Sequence, residues 1–125
     1  MTYDKNLAPF GWYVGSYLLR FVELADPNKD TEDERFISWE NTVLVKASNL
    51  AEAYEKVAEI GRNASTPYKG GPDGIDVQWE FEGLTELLPV YEELGDGCEI
   101  MWAERSPRML KTLRKWIRSK DEFVQ

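Results

Sequence analysis

The chain contains no histidine and only one cysteine, Cys98, among its 125 residues. Without histidine it lacks the commonest general base and the commonest ligand of catalytic metals. A lone cysteine excludes an internal disulfide and leaves neither a Cys–His nucleophile nor a structural zinc set. Single thiols are typical of a reducing compartment. We therefore expect a cytoplasmic protein that is not an enzyme and holds no cofactor or metal.

Long apolar runs are also missing. No stretch approaches the roughly 20 apolar residues that span a bilayer, and no basic start followed by an apolar run indicates a signal peptide. Hydrophobic residues make up 42% of the chain and aromatic residues 13%, which is typical of a folded globular protein. The length predicts one domain over residues 1–125, with no membrane span.

Basic residues are scarce in residues 1–104, which carry 8 Lys/Arg against 21 Asp/Glu, a net charge of −13. Residues 105–125 reverse this balance, with 7 Lys/Arg against 2 Asp/Glu, a net charge of +5. Because phosphates would be repelled by the acidic body, we expect no nucleic acid partner there. The acidity favours a basic protein partner, although it could also serve only solubility.

Aromatic and β-branched residues predict strands over residues 11–24 and 35–47. A helix follows, with Ser48 or Asn49 as its N-cap, because Asn49 and Glu52 have the spacing of a capping box and Gly61 is a typical helix stop. Residues 62–74 predict a loop. The next strand, over residues 75–82, alternates most clearly, so we expect its odd side chains to be buried and its even ones to face solvent. The odd set is Ile75, Val77, Trp79 and Phe81, and the even set is Asp76, Gln78, Glu80 and Glu82.

The last third of the chain is less uniform. Residues 83–94 are ambiguous, because Leu84 and Leu87 have helical spacing whereas Pro89 would break a helix. Residues 98–104 predict a fourth strand. The resulting order, β-β-α-β-β-α, predicts an α+β fold, a two-layer sandwich of a largely antiparallel four-stranded sheet with helices.

Ser106 and Pro107 predict the start of a basic amphipathic helix over residues 106–118, within a C-terminal segment of residues 105–125. Its apolar stripe contains Leu110, Leu113 and Trp116, which we expect to pack inward. Three interpretations stay open: the helix packs on the acidic body, it lies on a membrane surface or an anionic partner, or it holds a second subunit.

The candidate partner-binding surface combines the acidic loop of residues 25–34 with the acidic face of the strand over residues 75–82. An exposed tryptophan is typical of binding hot spots, and Trp12 or Trp39 could have this role; Trp39 of the second strand joins the candidate set. The candidate set is Asp26, Asp30, Glu32, Asp33, Glu34, Trp39, Glu80 and Glu82.

Five segments carry a resemblance to a known family. They are WYV at 12–14, VLVKA at 43–47, LAEAYEKV at 50–57, VQWEFEGL at 77–84 and DGCEI at 96–100. With them the chain resembles a bacterial family of unknown function, the domain-of-unknown-function family 4288, over residues 11–104. The resemblance implies no reaction and supplies no functional residues.

These observations predict a small acidic binding protein of the bacterial cytoplasm. Its concrete form would be an immunity protein or antitoxin that neutralises a basic toxin by electrostatically accelerated association. The alternative is a small-ligand-binding or regulatory module with a pocket under the Pro89 segment.

Overall fold

The computed structural model describes residues 4–125, so residues 1–3 of the predicted domain lie outside the described part. Four strands form one antiparallel sheet in the order β2-β1-β4-β3, curled into a half-barrel. The α+β class and the four-stranded antiparallel sheet are confirmed, whereas the two-layer sandwich and the order of elements are not. The elements are β1 (Trp12–Glu23), β2 (Ser38–Lys46), α1 (Leu50–Asn63), β3 (Tyr68–Gly70), β4 (Ile75–Pro89), α2 (Leu110–Lys115) and a 3₁₀ turn (Lys120–Phe123).

The fourth strand of the sheet is not the predicted one. Within the described chain, residues 98–104 form no strand, so that prediction is wrong. The sheet instead gains β3, which lies inside the predicted loop of residues 62–74 and pairs with the start of β4. Gly71 and Gly74 adopt φ values of 71° and 62°, which allow the tight reversal between the two strands. This short-range pairing was hidden because β3 is only 3 residues long.

Strand β4 is nearly twice as long as predicted, and it contains the ambiguous residues as far as Pro89. Its pairing with β1 shifts register twice, between Ser16 and Tyr17 and between Leu18 and Leu19. Each shift adds one residue to β4, as in a β-bulge, and places Leu84 and Leu87 on the same face although they are three residues apart. The helical spacing of this segment is therefore produced by bulges in a strand.

Helix α1 begins as predicted and ends later. Asn49 is the N-cap, and its side-chain oxygen accepts a hydrogen bond of 2.8 Å from the backbone N–H of Glu52. The helix continues past Gly61 to Asn63, so the predicted stop is wrong. Gly61 is required for close packing instead, because a Cβ there would overlap the ring of Phe81 on β4.

The core lies between α1 and one end of the sheet. Val57 of α1 is fully buried, and a Cβ added to Gly15 of β1 would come within 2.6 Å of it. Tyr13, Tyr17 and Val45 are buried in the same cluster. At the other end of β2 the same face is open, since Trp39 is 57% exposed. Helix α1 therefore covers only part of this face of the sheet.

The clean alternation of residues 75–82 is only partly reflected in burial. Val77 is buried, Trp79 and Phe81 are half-buried, and Ile75 is 43% exposed, so the predicted burial of Ile75 is wrong. Ile75 pairs with Gly70, the last residue of the short strand β3, at an end of the sheet that lies beyond the buried core cluster.

The C-terminal segment differs most from expectation. Helix α2 has only 6 residues, and no residue of it is buried. Leu110 and Trp116 are 58% and 47% exposed, so the expected inward packing of the stripe is wrong. A helix this short gains little stability from its own hydrogen bonds, and it gains little from packing because none of its residues is buried.

Candidate functional site

The exposed end of the sheet carries a cluster of aromatic side chains. Trp39 of β2 stacks on Trp79 of β4 with ring centroids 4.5 Å apart and an interplanar angle of 27°. Phe21 of β1 packs against the same Trp79 ring at 5.1 Å. Tyr68 of β3 accepts a hydrogen bond of 3.1 Å on its hydroxyl from the indole N–H of Trp79. We call these four side chains the aromatic surface.

The strand register explains why the two tryptophans meet. Trp39 pairs with Leu19, Trp79 pairs with Phe21, and Tyr68 pairs with Val77, two residues before Trp79. The four aromatic side chains therefore project from one face of the sheet. Strand β1 lies between β2 and β4, and the two indole rings meet across it. Leu19 is only 4% exposed although it lies in this open part of the sheet. The aromatic surface thus covers its own small extension of the core and presents Trp39 outward.

Two grooves border the aromatic surface at Phe21 and Glu23. One, of about 310 Å³, runs to Tyr68 and Ile75 on the β3 side. The other, of about 300 Å³, runs to the loop between β1 and β2 and includes Asp26, Glu34 and Ile37 among its lining residues. The charged lining of the two grooves thus consists of the three carboxylates of Glu23, Asp26 and Glu34 and the one cation of Arg35.

The opposite face of the sheet contains an ion-pair cluster centred on Arg20. The guanidinium contacts Glu82 at 3.0 Å, Glu80 at 3.2 Å and Asp30 at 3.2 Å. It also donates to the backbone carbonyl of Lys29. The Phe36 ring packs against it, 4.6 Å from the Arg20 Cζ atom to the ring centroid. Arg20 thereby holds the loop of residues 25–37 against the sheet.

The cluster changes the ionisation of two of its members. Burial lowers the pKa of Arg20, but its bonds to Glu82 and Asp30 outweigh that and raise the pKa overall. The hydrogen bond from Lys29, followed by that from Arg20, lowers the pKa of the Asp30 carboxyl. Both shifts favour the charged forms, as expected for an ion pair that stabilises the fold.

The predicted binding residues are divided between two faces of the sheet. Trp39 lies on the aromatic surface, with Asp26 and Glu34 in the bordering groove, and Glu34 also lines the groove beside Arg20. Asp30, Glu80 and Glu82 lie on the opposite face and bind Arg20. Glu32 lines a groove of about 330 Å³ beside Arg20, and Asp33 is exposed on the loop. Their role in partner binding stays a prediction.

Three members of the aromatic surface and one charged residue were not among the candidates. The alternation of its strand predicts a buried Trp79, and the glycines and prolines of residues 62–74 predict a loop around Tyr68. Phe21 belongs to an almost continuously apolar strand, in which no pattern distinguishes an exposed position. Arg20 gave one available signal, since it is the only basic residue within β1.

An apolar pocket of about 480 Å³ lies elsewhere, beside the start of α1. Its lining includes the apolar residues Leu7, Leu50, Tyr54 and Leu87 and the polar residues Asp4 and Asn6. Its size falls within the usual range of small-molecule sites. Leu87 precedes Pro89 by two residues, so this pocket adjoins the segment for which the alternative function predicted a ligand site.

Residues 4–125 contain neither a group of side chains suited to a metal ion nor a helix suited to a membrane. Between residues 4 and 125, no three or more Cys, Asp or Glu side chains converge in a way that could hold a metal ion. Within the same range, no helix has the length and apolar character needed to cross a membrane.

These features define a small α+β domain with an exposed aromatic surface beside acidic grooves. The chain belongs to the family described as domain of unknown function (DUF4288), whose family model matches residues 12–102. No curated protein and no solved structure is significantly similar to it. The resemblance drawn from the five sequence segments is thereby confirmed at the level of the family.

Proposed function

We propose that this protein is a non-enzymatic binding protein that recognises a basic protein partner through its aromatic surface. The observation that carries the proposal is Trp39, which is 57% exposed and held in place by its stacking on Trp79. An ordered, exposed tryptophan loses little conformational entropy on binding, and tryptophan is enriched among residues that dominate binding energies.

A basic partner is favoured by the surrounding charge. Glu23, Asp26 and Glu34 line the two grooves that border the aromatic surface. The body of residues 1–104 adds a long-range field from its net charge of −13. Such a field accelerates association with a cationic surface, whereas the aromatic contact limits dissociation.

The concrete form we propose is an immunity protein or antitoxin that neutralises a basic toxin in the bacterial cytoplasm. Stoichiometric neutralisation requires a rigid binding surface and fast association, and it requires no catalytic group. The aromatic surface and the acidic grooves would supply these two properties.

The test captures the partner from the native lysate on immobilised protein and then measures its binding to variants. We expect Trp39→Ala to speed dissociation by about 30-fold, the effect of losing a hot spot. Leu44→Ala is the matched control, because Leu44 is 41% exposed on the same strand but on the opposite face. Equal effects of the two substitutions would contradict the proposed surface.

Electrostatic attraction is tested separately by association rates. Replacing Glu23 and Glu34 by glutamine should slow association and reduce its dependence on salt, because screening acts on exposed charges beyond about 8 Å. Dissociation should change little, as is usual for charges at the rim of an interface. Association that is independent of salt in both proteins would exclude the electrostatic part of the proposal.

A second function is favoured by the apolar pocket beside α1, where a small apolar ligand would contact Tyr54 and Leu87. In that case the protein is a small-ligand-binding or regulatory module. A small molecule that co-purifies with the parent and is lost in Tyr54→Ala, but is retained in Trp39→Ala, would support this alternative.

A further inference from the structure

The apolar side chains of the basic C-terminal segment are largely exposed in its own molecule. Within residues 105–125 of the described chain, no side chain is buried. Exposed fractions reach 65% for Met109 and 78% for Ile117. Solvent-exposed apolar groups of this number, on one short segment, are typical of an interaction site. The apolar stripe consists of Met109, Leu110, Leu113, Trp116 and Ile117.

The local sequence encodes a longer helix than the isolated segment forms. Ser106 and Pro107 are typical starting residues, and the apolar stripe runs from Met109 to Ile117, but α2 includes only Leu110–Lys115. Short helices in water are marginal, and packing of an amphipathic face usually supplies the missing stability. Extension of α2 is therefore expected when the stripe is covered.

We propose that residues 105–118 of one copy dock on the aromatic surface of a second copy. The charges are complementary, since the segment of residues 105–125 has a net charge of +5 and the body −13. The chemistry also matches locally, because the segment joins apolar side chains to arginines and the aromatic surface joins tryptophans to carboxylates. The Arg108 Cζ atom lies 5.7 Å from the centroid of the Trp116 ring, so this cation and this ring would contact the second copy together.

The dimensions of the two parts agree. Fourteen helical residues extend about 21 Å, and four strands at about 4.8 Å spacing extend about 14 Å across the sheet. A helix over residues 105–118 can therefore cross the aromatic surface from β2 to β3. Two reciprocal contacts then give a closed dimer with twofold symmetry, in which each copy supplies one segment and one surface. Two Trp116 and two Trp39 side chains are about half exposed, so covering them removes about 400 Å² from solvent. With the exposed Met109, Leu110 and Ile117 side chains of both copies, the buried area is on the order of 1,000 Å², the size of a weak interface.

This inference shares a surface with the proposed function and adds a regulatory consequence. The segment resembles the proposed partner, because it is basic and carries an exposed tryptophan. A second copy would therefore compete with the partner for the aromatic surface. The dimer itself does not depend on the existence of a toxin-like partner.

The experiment measures the mass of the full chain by sedimentation velocity over a range of protein concentrations. We expect a monomer–dimer equilibrium that weakens as salt is added. Because each substitution is present in both reciprocal contacts, Trp116→Ala and Trp39→Ala should each weaken the dimer by about 30-fold per contact, or about 1,000-fold in all. Phe123→Ala and Leu44→Ala are the matched controls, since both remove exposed apolar groups outside the proposed contact and should leave the equilibrium unchanged.

A mixing experiment tests the reciprocal geometry. In a mixture of Trp39→Ala with Trp116→Ala, the first protein supplies an intact segment and the second an intact aromatic surface. The mixed dimer regains one complete contact, and its other contact lacks both tryptophans. Because Trp39 and Trp116 contact each other in the proposed dimer, losing both costs little more than losing one. The mixed dimer should therefore form more readily than the dimer of either variant alone. A purely structural defect in either variant would not be repaired by mixing.

Three results would overturn the proposal. The first is a monomer at every concentration, and the second is a dimer insensitive to both tryptophan substitutions. The third is protection of Trp39 by the segment at a constant monomer mass, which would mean that the segment folds back on its own molecule. The first result leaves the partner measurements with Trp39→Ala unaffected, so failure of the dimer and failure of the proposed function are distinguishable.

Discussion

Arg20 shows how one residue determines the use of several others. Its side chain is 17% exposed and binds three carboxylates, two of them from β4 and one from the loop. Asp30, Glu80 and Glu82 therefore stabilise the protein internally and have less freedom to bind a partner. The sequence shows that these positions are acidic, but it does not show that they pair with a cation on a strand 60 residues away in sequence.

We predict that Arg20→Met destabilises the protein by about 2 kcal/mol, because hydrogen bonds between charged groups are lost and carboxylates remain unpaired. Urea denaturation measures the effect. Arg35→Met is the matched control, since Arg35 is an exposed cation of the same loop, and it should change the free energy of unfolding by less than about 0.5 kcal/mol. Equal losses in the two variants would contradict the role of Arg20.

Asp30 predicts a dependence on pH. The fold lowers its pKa, so the charged form is stabilised in the folded state, and this contribution is fully present above the ordinary pKa of about 3.9. It is lost as the pH falls through the lower pKa of the folded protein. The stability difference between parent and Asp30→Asn should therefore be constant near neutral pH and shrink below about pH 4. A difference that does not vary with pH would contradict this assignment.

At the scale of elements, the sequence predicted correctly those features that depend on residues close together in the chain. The Asn49 cap and the alternation that begins β4 were readable because a few neighbouring residues determine them. The end of α1 was not, since Gly61 is placed by its contact with Phe81 from a distant strand. The bulges of β4 were also hidden, because register shifts depend on β1 and mimic helical spacing. Similarly, the aromatic surface depends on strand order, which no local pattern specifies.

We predict that Gly61→Ala destabilises the protein although alanine favours helix formation. The helix would gain about 1 kcal/mol, but the new methyl group would overlap Phe81 and lie 3.3 Å from the Tyr17 ring. Overpacking of this kind costs about 1–3 kcal/mol, so a net loss is expected.

Chemical denaturation of a double-mutant cycle checks the cause. In a Phe81→Leu background, the smaller side chain should make Gly61→Ala neutral or stabilising. Ala51→Gly, at an exposed position of α1, reports helix propensity alone. A stabilised Gly61→Ala protein would show that the Phe81 ring moves aside at little cost.

At the scale of the whole molecule, both charge and burial distinguish the C-terminal segment from the acidic part of the chain. The acidic part contains every buried residue of the described chain, whereas the basic residues 105–125 contribute none. The net charges of −13 and +5 were visible in the sequence. The sequence did not reveal that the segment stays exposed although its charge is opposite to that of the acidic part. An intramolecular salt bridge at the surface contributes little, so opposite charge alone does not fix a segment on its own body.

This division predicts that the body is stable without its C-terminal segment. Deleting residues 105–125 removes no buried side chain, so the melting temperature should change by no more than about 2 °C at physiological salt. At low salt the truncated body should melt somewhat lower, because its net charge changes from −8 to −13 and self-repulsion increases. Differential scanning calorimetry at low protein concentration avoids a contribution from dimers. Val57→Ala shows the response to a true core defect, because Val57 is fully buried against β1. A truncated protein that melts as low as this variant would mean that the basic segment is part of the core.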